Sequence, residues 1–447
     1  MGLIAKVAGQ GNFRSDGNCT MFEIKPREKM VERALLVGAF PHGSDREEAQ
    51  DLLEELEELV QTLEIPVLDK MLVAHRETRA RFLIGTGKAE EIRQRLKELE
   101  CDVLIFDNEL TPAQQRNWED LTKVLVIDRQ EVILDIFGNR ARTREARLQV
   151  DLARMSYSLP RLTRAWSHLG QQGGGIGAKG EGESQLEQDK RKIRGQMDRL
   201  RQEIEEVHKA RATRRKERER NPFPSAAIVG YTNAGKSSLL RRLTGADILV
   251  ENKLFATLDT TTRKTLLPGK RTLLLTDTVG FVRKLPHQLV ESFHATLEEA
   301  AFADFLIHVL DASHPRVTDF FETTMKVLRE LDAADKPMLI ICNKIDRIVD
   351  SSIKPHLRRR FPDAIFVSVL TGEGMDLLVE RIQTMASRDE TTMDLALPLH
   401  RTDLLAGLHQ GGTVHRVEYE EEMARVHVTL PAMLAGRYQV YGVVGKE

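Results

Sequence analysis

Gly230, Tyr231, Thr232, Asn233, Ala234, Gly235, Lys236 and Ser237 have the residue types and the G-x-x-x-x-G-K-S spacing of a loop that cradles phosphates. The chemistry follows from the atoms: glycine lets backbone N–H groups approach an anion, lysine adds a positive charge, and a serine hydroxyl can ligate magnesium. The run Ala226 to Val229 before the loop reads as a strand, and the leucine-bearing stretch from Ser237 and Ser238 onward reads as a helix. That strand-to-helix context separates a phosphate loop from a chance match. The N–H groups of Asn233, Ala234 and Gly235 are then expected at a β-phosphate, Lys236 between β and γ, and Ser237 on Mg²⁺.

Two further motifs follow in order. Asp277, Thr278, Val279 and Gly280 come about forty residues later, after the apolar run Thr272 to Leu275. Asp277 can hold the magnesium shell, and the N–H of Gly280 is placed to sense a γ-phosphate. Asn343, Lys344, Ile345 and Asp346 follow the run Met338 to Ile341. A carboxylate at Asp346 can accept both N1–H and the 2-amino group of guanine. Adenine offers neither donor there, and sites of that kind discriminate by roughly 10⁴ to 10⁵. Ser368, Val369 and Leu370, after the next apolar run, can close over the base through backbone groups.

A second magnesium ligand must come from the segment Phe255, Ala256, Thr257, Leu258, Asp259 and the threonines after it, a loop able to order and disorder. Thr257 is the candidate, with Thr260, Thr261 and Thr262 as competitors that spacing leaves open. Lys236, Thr257, Asp277 and Gly280 form the expected catalytic set. Position 281 bears on mechanism: many switch GTPases carry there a glutamine that orients the attacking water, and this chain has Phe281. A phenyl ring cannot hydrogen-bond water in that way, so slow intrinsic hydrolysis is expected unless a partner supplies or positions the missing group. The alternative is that Phe281 packs in the switch and a neighbouring side chain does the work.

The elements that carry these motifs group into modules, and the 447 residues suggest roughly three domains. Residues 1–28 read as a mobile tail. Residues 29–138 alternate short apolar runs with helical patterns, including a capped helix opening at Thr111-Pro112, and predict an α/β domain of about four strands. Residues 139–220 predict a hairpin of two long basic helices, the first starting near Glu131, joined by a glycine-rich tip from Gly170 to Ser184. Residues 221–388 predict a doubly wound, mostly parallel sheet with every motif at the carboxyl end of a strand. Residues 389–447 read as a small α+β domain. The fold class is thus α/β and multidomain.

The formal net charge of −2 conceals arginine- and lysine-rich stretches from Arg140 to Arg164 and from Lys190 to Arg220, which point to a polyanionic partner. Cys19, Cys101 and Cys342 match no zinc or redox spacing and fit a reducing compartment. No apolar run is long enough for a membrane span and no signal pattern opens the chain, so a cytoplasmic protein is expected, at most peripheral to a membrane. Gly175 to Gly180 fits G-x-G-x-x-G without a preceding strand, and Gly85-Thr-Gly87-Lys88 has Ala89 where a magnesium-holding hydroxyl belongs, so neither is read as a nucleotide site. His75, His308 and His314 have no ligand partners at metal spacing and read as packing or surface histidines.

With these motifs the chain resembles the HflX family of bacterial GTPases from about Ala34 to Arg388. The most specific pieces are Gly173-Gly-Gly-Ile-Gly-Ala-Lys-Gly-Glu-Gly-Glu-Ser184, Asn233-Ala-Gly-Lys-Ser237 and Leu254 to Arg263. Thr260 departs from the proline expected in that family. The resemblance implies a GTPase that binds the large (50S) ribosomal subunit and its rRNA and that splits or rescues stalled ribosomes under stress. It also implies an N-terminal domain with nucleotide-dependent, RNA-remodelling behaviour, and Ser237 and Thr257 as the Mg²⁺ ligands. A monomer is expected. The alternatives are a GTP-switched binding protein for a non-ribosomal partner and an RNA-remodelling ATPase acting through the N-terminal domain.

Overall fold

The computed structural model describes residues 31–162, 181–218, 223–245, 254–255, 261–268, 271–284, 299–387, 390–420 and 422–442. The expected tail, most of the glycine-rich tip, and Ala256, Thr257, Leu258, Asp259 and Thr260 lie outside them. The chain divides into two compact units. One comprises residues 1–206, 252–259 and 283–293, the other residues 207–251, 260–282 and 294–447.

The first unit is built on four parallel strands, β1 (Ala34–Pro41), β2 (Val67–His75), β3 (Val103–Phe106) and β4 (Leu125–Asp128), in the order β2-β1-β3-β4. All residues of β3 and β4 are buried, as befits strands covered on both faces. Around the sheet lie α1 (Arg46–Thr62), α2 (Thr86–Glu98), α3 (Pro112–Thr122) and α4 (Arg129–Arg140). Local chemistry sets their starts. The Asp45 carboxylate accepts from the Glu47 N–H, and Thr111 and Gln114 form a reciprocal capping box with Pro112 in the first turn. Trp118 anchors one core, edge-on to Phe82 at 5.3 Å between ring centroids and 5.0 Å from Phe106.

The predicted first arm helix is not continuous. It is α4, which buries Val132 to Phe137, then a break at Ala141, then α5 (Arg144–Ser158), capped by Thr143. An unbroken helical period across residues 131–158 concealed the break, because α4 is a core helix and only α5 begins the arm. The returning helix α6 (Glu181–Arg218) has 38 residues.

This unit also holds a charge cluster assembled from distant positions. Arg129 is buried and its guanidinium meets Asp107 at 2.8 Å and Glu55 at 3.2 Å. Arg283 donates to Glu55 at 3.1 Å and Lys284 to Asp107 at 2.5 Å.

In the second unit six strands run in the order β10-β9-β8-β5-β7-β6. They are β5 (Ser225–Gly230), β6 (Thr261–Leu267), β7 (Arg271–Asp277), β8 (Phe305–Asp311), β9 (Met338–Asn343) and β10 (Ile365–Phe366). All pairings are parallel except β6 with β7, and the loop expected through Arg263 gives way to strand from Thr261. Among the described residues α7 (Lys236–Thr244), α8 (Val317–Glu330), α9 (Ile353–Arg360) and α10 (Met375–Ala386) accompany this sheet. Ile228, Leu239, Leu275, Ile307, Ile341 and Leu378 belong to its core. A three-stranded antiparallel sheet, β11 (Glu390–Pro398), β13 (Met423–Pro431) and β12 (Thr413–Tyr419), packs with α11 (Thr402–Gly411) and α12 (Ala432–Tyr438).

Candidate active site

Strand β5 ends at Gly230 and the chain turns through Tyr231 to Gly235 into α7. Gly235 has φ +99°, a conformation that disfavours a side chain, and an added Cβ would lie 2.3 Å from Asn343 Nδ2. The backbone therefore passes directly beneath the base motif. Lys236 is buried and its Nζ donates to the Tyr231 carbonyl at 2.7 Å. Burial, opposed by Asp277 and reinforced by Lys344, pulls its ammonium down to about 8.

Ser237 and Asp277 meet as the motif order requires, the serine hydroxyl donating to Asp277 Oδ2 at 2.8 Å. A hydroxyl and a buried carboxylate side by side make a hard-oxygen donor pair that fits Mg²⁺. Gly280 lies against the phosphate loop, where a Cβ would sit 2.7 Å from Thr232 Cγ2 and 3.0 Å from Lys236 Nζ. Phe281 is clipped there by its backbone: its N–H donates to the Gly230 carbonyl at 3.2 Å, and its carbonyl accepts from the Thr232 N–H at 2.8 Å. The Phe281 side chain is buried. Tyr231, opposite it in a β-bridge, stacks on Phe320 with centroids 3.9 Å apart.

At the next strand ends, Asn343 Nδ2 donates to the Ala234 carbonyl at 2.9 Å and its Oδ1 accepts from the Val369 N–H at 3.1 Å. Ser368 donates to Asp346 Oδ1 at 2.6 Å, which fixes the carboxylate's orientation and leaves its second oxygen outside that bond. Leu370 is exposed, and Ile345 is buried beneath the motif. The phosphate loop, Asp277 to Gly280, Asn343 to Asp346 and Ser368 to Leu370 are thus brought to one end of one sheet. Of the segment Phe255 to Asp259, only Phe255 is described; it is buried in the first unit, edge-on to Phe137 at 4.6 Å. Thr257, Ala256, Leu258 and Asp259 lie outside the described residues.

Two neighbours of the motifs carry no signal in the sequence, and a third, His308, is one of the histidines expected to pack. Arg242 on α7 donates to the Val369 carbonyl at 3.3 Å. Asp311 at the end of β8 pairs with Lys344 at 2.6 Å. His308 is fully buried in β8, stacked on Phe321 at 5.0 Å, with neither ring nitrogen hydrogen-bonded. None belongs to a recognisable motif; Asp311 was visible only as the polar end of an apolar run. Among the described residues no cluster of histidine, cysteine and carboxylate could hold a metal, and no helix is long and apolar enough to cross a membrane.

Three family models match in succession: GTP-binding GTPase N-terminal over residues 50–138, GTP-binding GTPase Middle Region over 140–218, and 50S ribosome-binding GTPase over 225–344. The chain is 48% identical over 437 residues to GTPase HflX of Akkermansia muciniphila, covering 94% of this chain and 99% of the relative. It is 40% identical over 440 residues to GTPase HflX of Chlamydia pneumoniae, covering 97% and 93%. Among solved structures, a GTP-binding protein from Sulfolobus solfataricus in complex with GDP aligns over 80% of this chain and 99% of that one, at 25% identity and a TM-score of 0.44. Near-full-length identity of this size, over a chain with the phosphate loop, Asp277 to Gly280 and Asn343 to Asp346 at one sheet end, makes the protein a member of the HflX family of GTPases, with GTP hydrolysis as its activity.

Proposed function

We propose that this GTPase is Mg²⁺-dependent, that it docks on the large ribosomal subunit and its rRNA, and that the subunit stimulates hydrolysis, so that stalled or stressed ribosomes are split or rescued. The observation that carries the reading is Phe281. Its phenyl group is buried and its backbone is bonded to Gly230 and Thr232, so position 281 offers no polar side chain to orient a water. The water-orienting group then comes from elsewhere, and we place it on a partner, an assistance worth about 10³ to 10⁵ in rate. The match to a model described as 50S ribosome-binding GTPase supports a ribosomal partner.

Within the site, Lys236 contacts the β- and γ-phosphates, backbone N–H groups of Asn233 to Gly235 hold the β-phosphate, and the Gly280 N–H senses γ. Ser237, with Asp277 beside it, and Thr257 hold Mg²⁺. An ion held there would supply positive charge against the negative charge that develops on the phosphates. Asp346 reads the guanine edge, and Ser368 to Leu370 close over it.

The arm supports an rRNA partner. Along α6, Lys190, Arg191, Lys192, Arg194, Arg199 and Arg201 stand against Asp198 alone before the acidic residues Glu203, Glu205 and Glu206. Toward the tip Glu181, Glu183, Glu187 and Asp189 precede this run, so the positive charge forms a band along the arm, where it can neutralise phosphates. We place the protein in the cytoplasm as a monomer, with an N-terminal tail (1–28), an N-terminal domain (29–138), the arm (139–220), the GTPase domain (221–388) and a C-terminal domain (389–447). The test is GTP turnover with and without purified 50S subunits at one salt concentration. A rise of about two decades or more is expected; turnover indifferent to the subunit would remove the ribosome from the proposal and leave the GTPase.

A further inference from the structure

Strands β8 and β9 run parallel, with Asp311 in register with Asn343 and the Ala312 N–H donating to the Asn343 carbonyl at 2.9 Å. The next residue, Lys344, takes a left-handed backbone conformation, φ +63°. Its side chain runs back across the strand ends, and Nζ meets Asp311 Oδ2 at 2.6 Å with only 16% of the lysine and 17% of the aspartate side chain exposed. The other oxygen of Asp311 is engaged separately, accepting from the Ser313 N–H at 3.0 Å and hydroxyl at 2.6 Å. Asp311 therefore divides its two oxygens between a local turn and one distant cation.

In the chain, Lys344 stands between Asn343, which ties the phosphate loop, and Asp346, which Ser368 orients. Ligands of open parallel sheets bind at these carboxyl strand ends. On the nucleotide-site reading, a base whose edge Asp346 holds would set its ring near the Lys344 stem. A lysine stem is apolar and covers a flat ring well only while its charged head is kept elsewhere. We propose that Asp311 is a positioning residue for the guanine nucleotide: by holding the Lys344 ammonium at the end of β8, it lays the lysine stem down as one wall of the base pocket. The inference rests on the nucleotide-site reading above. It adds a residue that touches neither base nor phosphate, and it assigns to Asp311 affinity for the base and no share in the cleavage step.

Asp311→Asn keeps the size of the side chain and an oxygen for the Ser313 turn while weakening the hold on the ammonium. In the full-length protein it is expected to raise the Kd for a fluorescent GDP about tenfold, the size of one ordinary polar interaction. The kcat at saturating GTP stays within about twofold, and so does competition by inorganic tripolyphosphate, which has no base. Lys344→Met alone should give a similar loss, and the double variant no more than either single. Ser313→Ala, which cuts only the turn, should leave GDP affinity unchanged. Equal losses for GDP and tripolyphosphate, additive losses in the double variant, or a loss in Ser313→Ala equal to that in Asp311→Asn would each overturn the proposal. Should Asp311→Asn not fold, Lys344→Met decides alone, because undiminished GDP affinity there removes the wall. Absence of guanine-nucleotide binding by the unaltered protein would instead sink the underlying site reading.

Discussion

Asn343 ties the base motif to the phosphate loop, its Nδ2 donating to the Ala234 carbonyl at 2.9 Å while its Oδ1 accepts from the Val369 N–H at 3.1 Å. Three separate loops therefore share one amide. Asn343→Ala would leave a buried carbonyl and a buried N–H without that partner, at about 1–3 kcal/mol each. GTP and GDP affinity are expected to fall together by roughly ten- to a hundredfold or more, read by titration with a fluorescent nucleotide. Loss of GTP binding alone would show that the amide serves the γ-phosphate and not the shared frame.

Base choice rests on Asp346, whose Oδ1 is held by Ser368 at 2.6 Å. Asp346→Asn turns an acceptor into a donor that matches the carbonyl xanthine carries in place of the 2-amino group. Preference should move from GTP toward XTP by about two orders of magnitude or more, measured as the ratio of kcat/KM values. An unchanged ratio would mean that another group reads the base.

Lys236 gives nucleotide binding a pH dependence with a definite sign. Its ammonium is lowered from its ordinary value to about 8, chiefly by burial. A triphosphate favours the charged form, so above pH 8 binding must take up a proton and affinity falls as pH rises. At pH 8.5 calorimetry in buffers of different ionisation enthalpy should detect uptake of somewhat less than one proton, roughly three quarters. Uptake that persists in Lys236→Met would assign it to a different group.

His308 makes the GTPase unit sensitive to acid. Burial, aided by Lys236, holds its imidazole down at about 3, whereas the unfolded chain has the ordinary value near 6.5. The unfolded state therefore binds more protons between those values: the full stability is present above about pH 6.5 and is lost as pH falls toward 3, by at most about 1.4 kcal/mol per unit. His308→Leu removes the titration and two ring nitrogens that have no hydrogen-bond partner. The variant's thermal midpoint should drop less than the parent's between pH 7 and pH 5.5, and equal drops would show that other groups dominate.

Much of this architecture was legible in the residues. The buried strands β3, β5, β8 and β9 are short apolar runs ending at a motif or turn, so their positions and parallel arrangement follow from pattern alone. Thr111-Pro112 with Gln114 marked a helix start before any geometry was known. Strand β6 was not legible, because its residues Thr261 to Leu267 mix polar and exposed positions on a sheet edge and lie beside a threonine run that reads equally well as loop. The break between α4 and α5 was missed because Ala141 interrupts no apolar period. Within the site the motifs announced themselves by spacing, while Asp311 and Arg242 did not, since a brace needs only to reach its target in space. The cluster of Glu55, Asp107, Arg129, Arg283 and Lys284 joins five positions spread over more than two hundred residues, and nothing local marks any of them.

The paired backbone bonds of Phe281 with Gly230 and Thr232 bear on timing. They are bonds of the chain to itself and call on no ligand atom, so Gly280 is held against the wall of the phosphate socket by the fold, and an arriving nucleotide need not organise that stretch of chain. Ordering that is complete beforehand costs the encounter nothing, so differences in affinity at this site appear as differences in residence time. Variants that weaken the socket should release nucleotide sooner while capturing it almost as fast, and the clock of this protein is then set by departure.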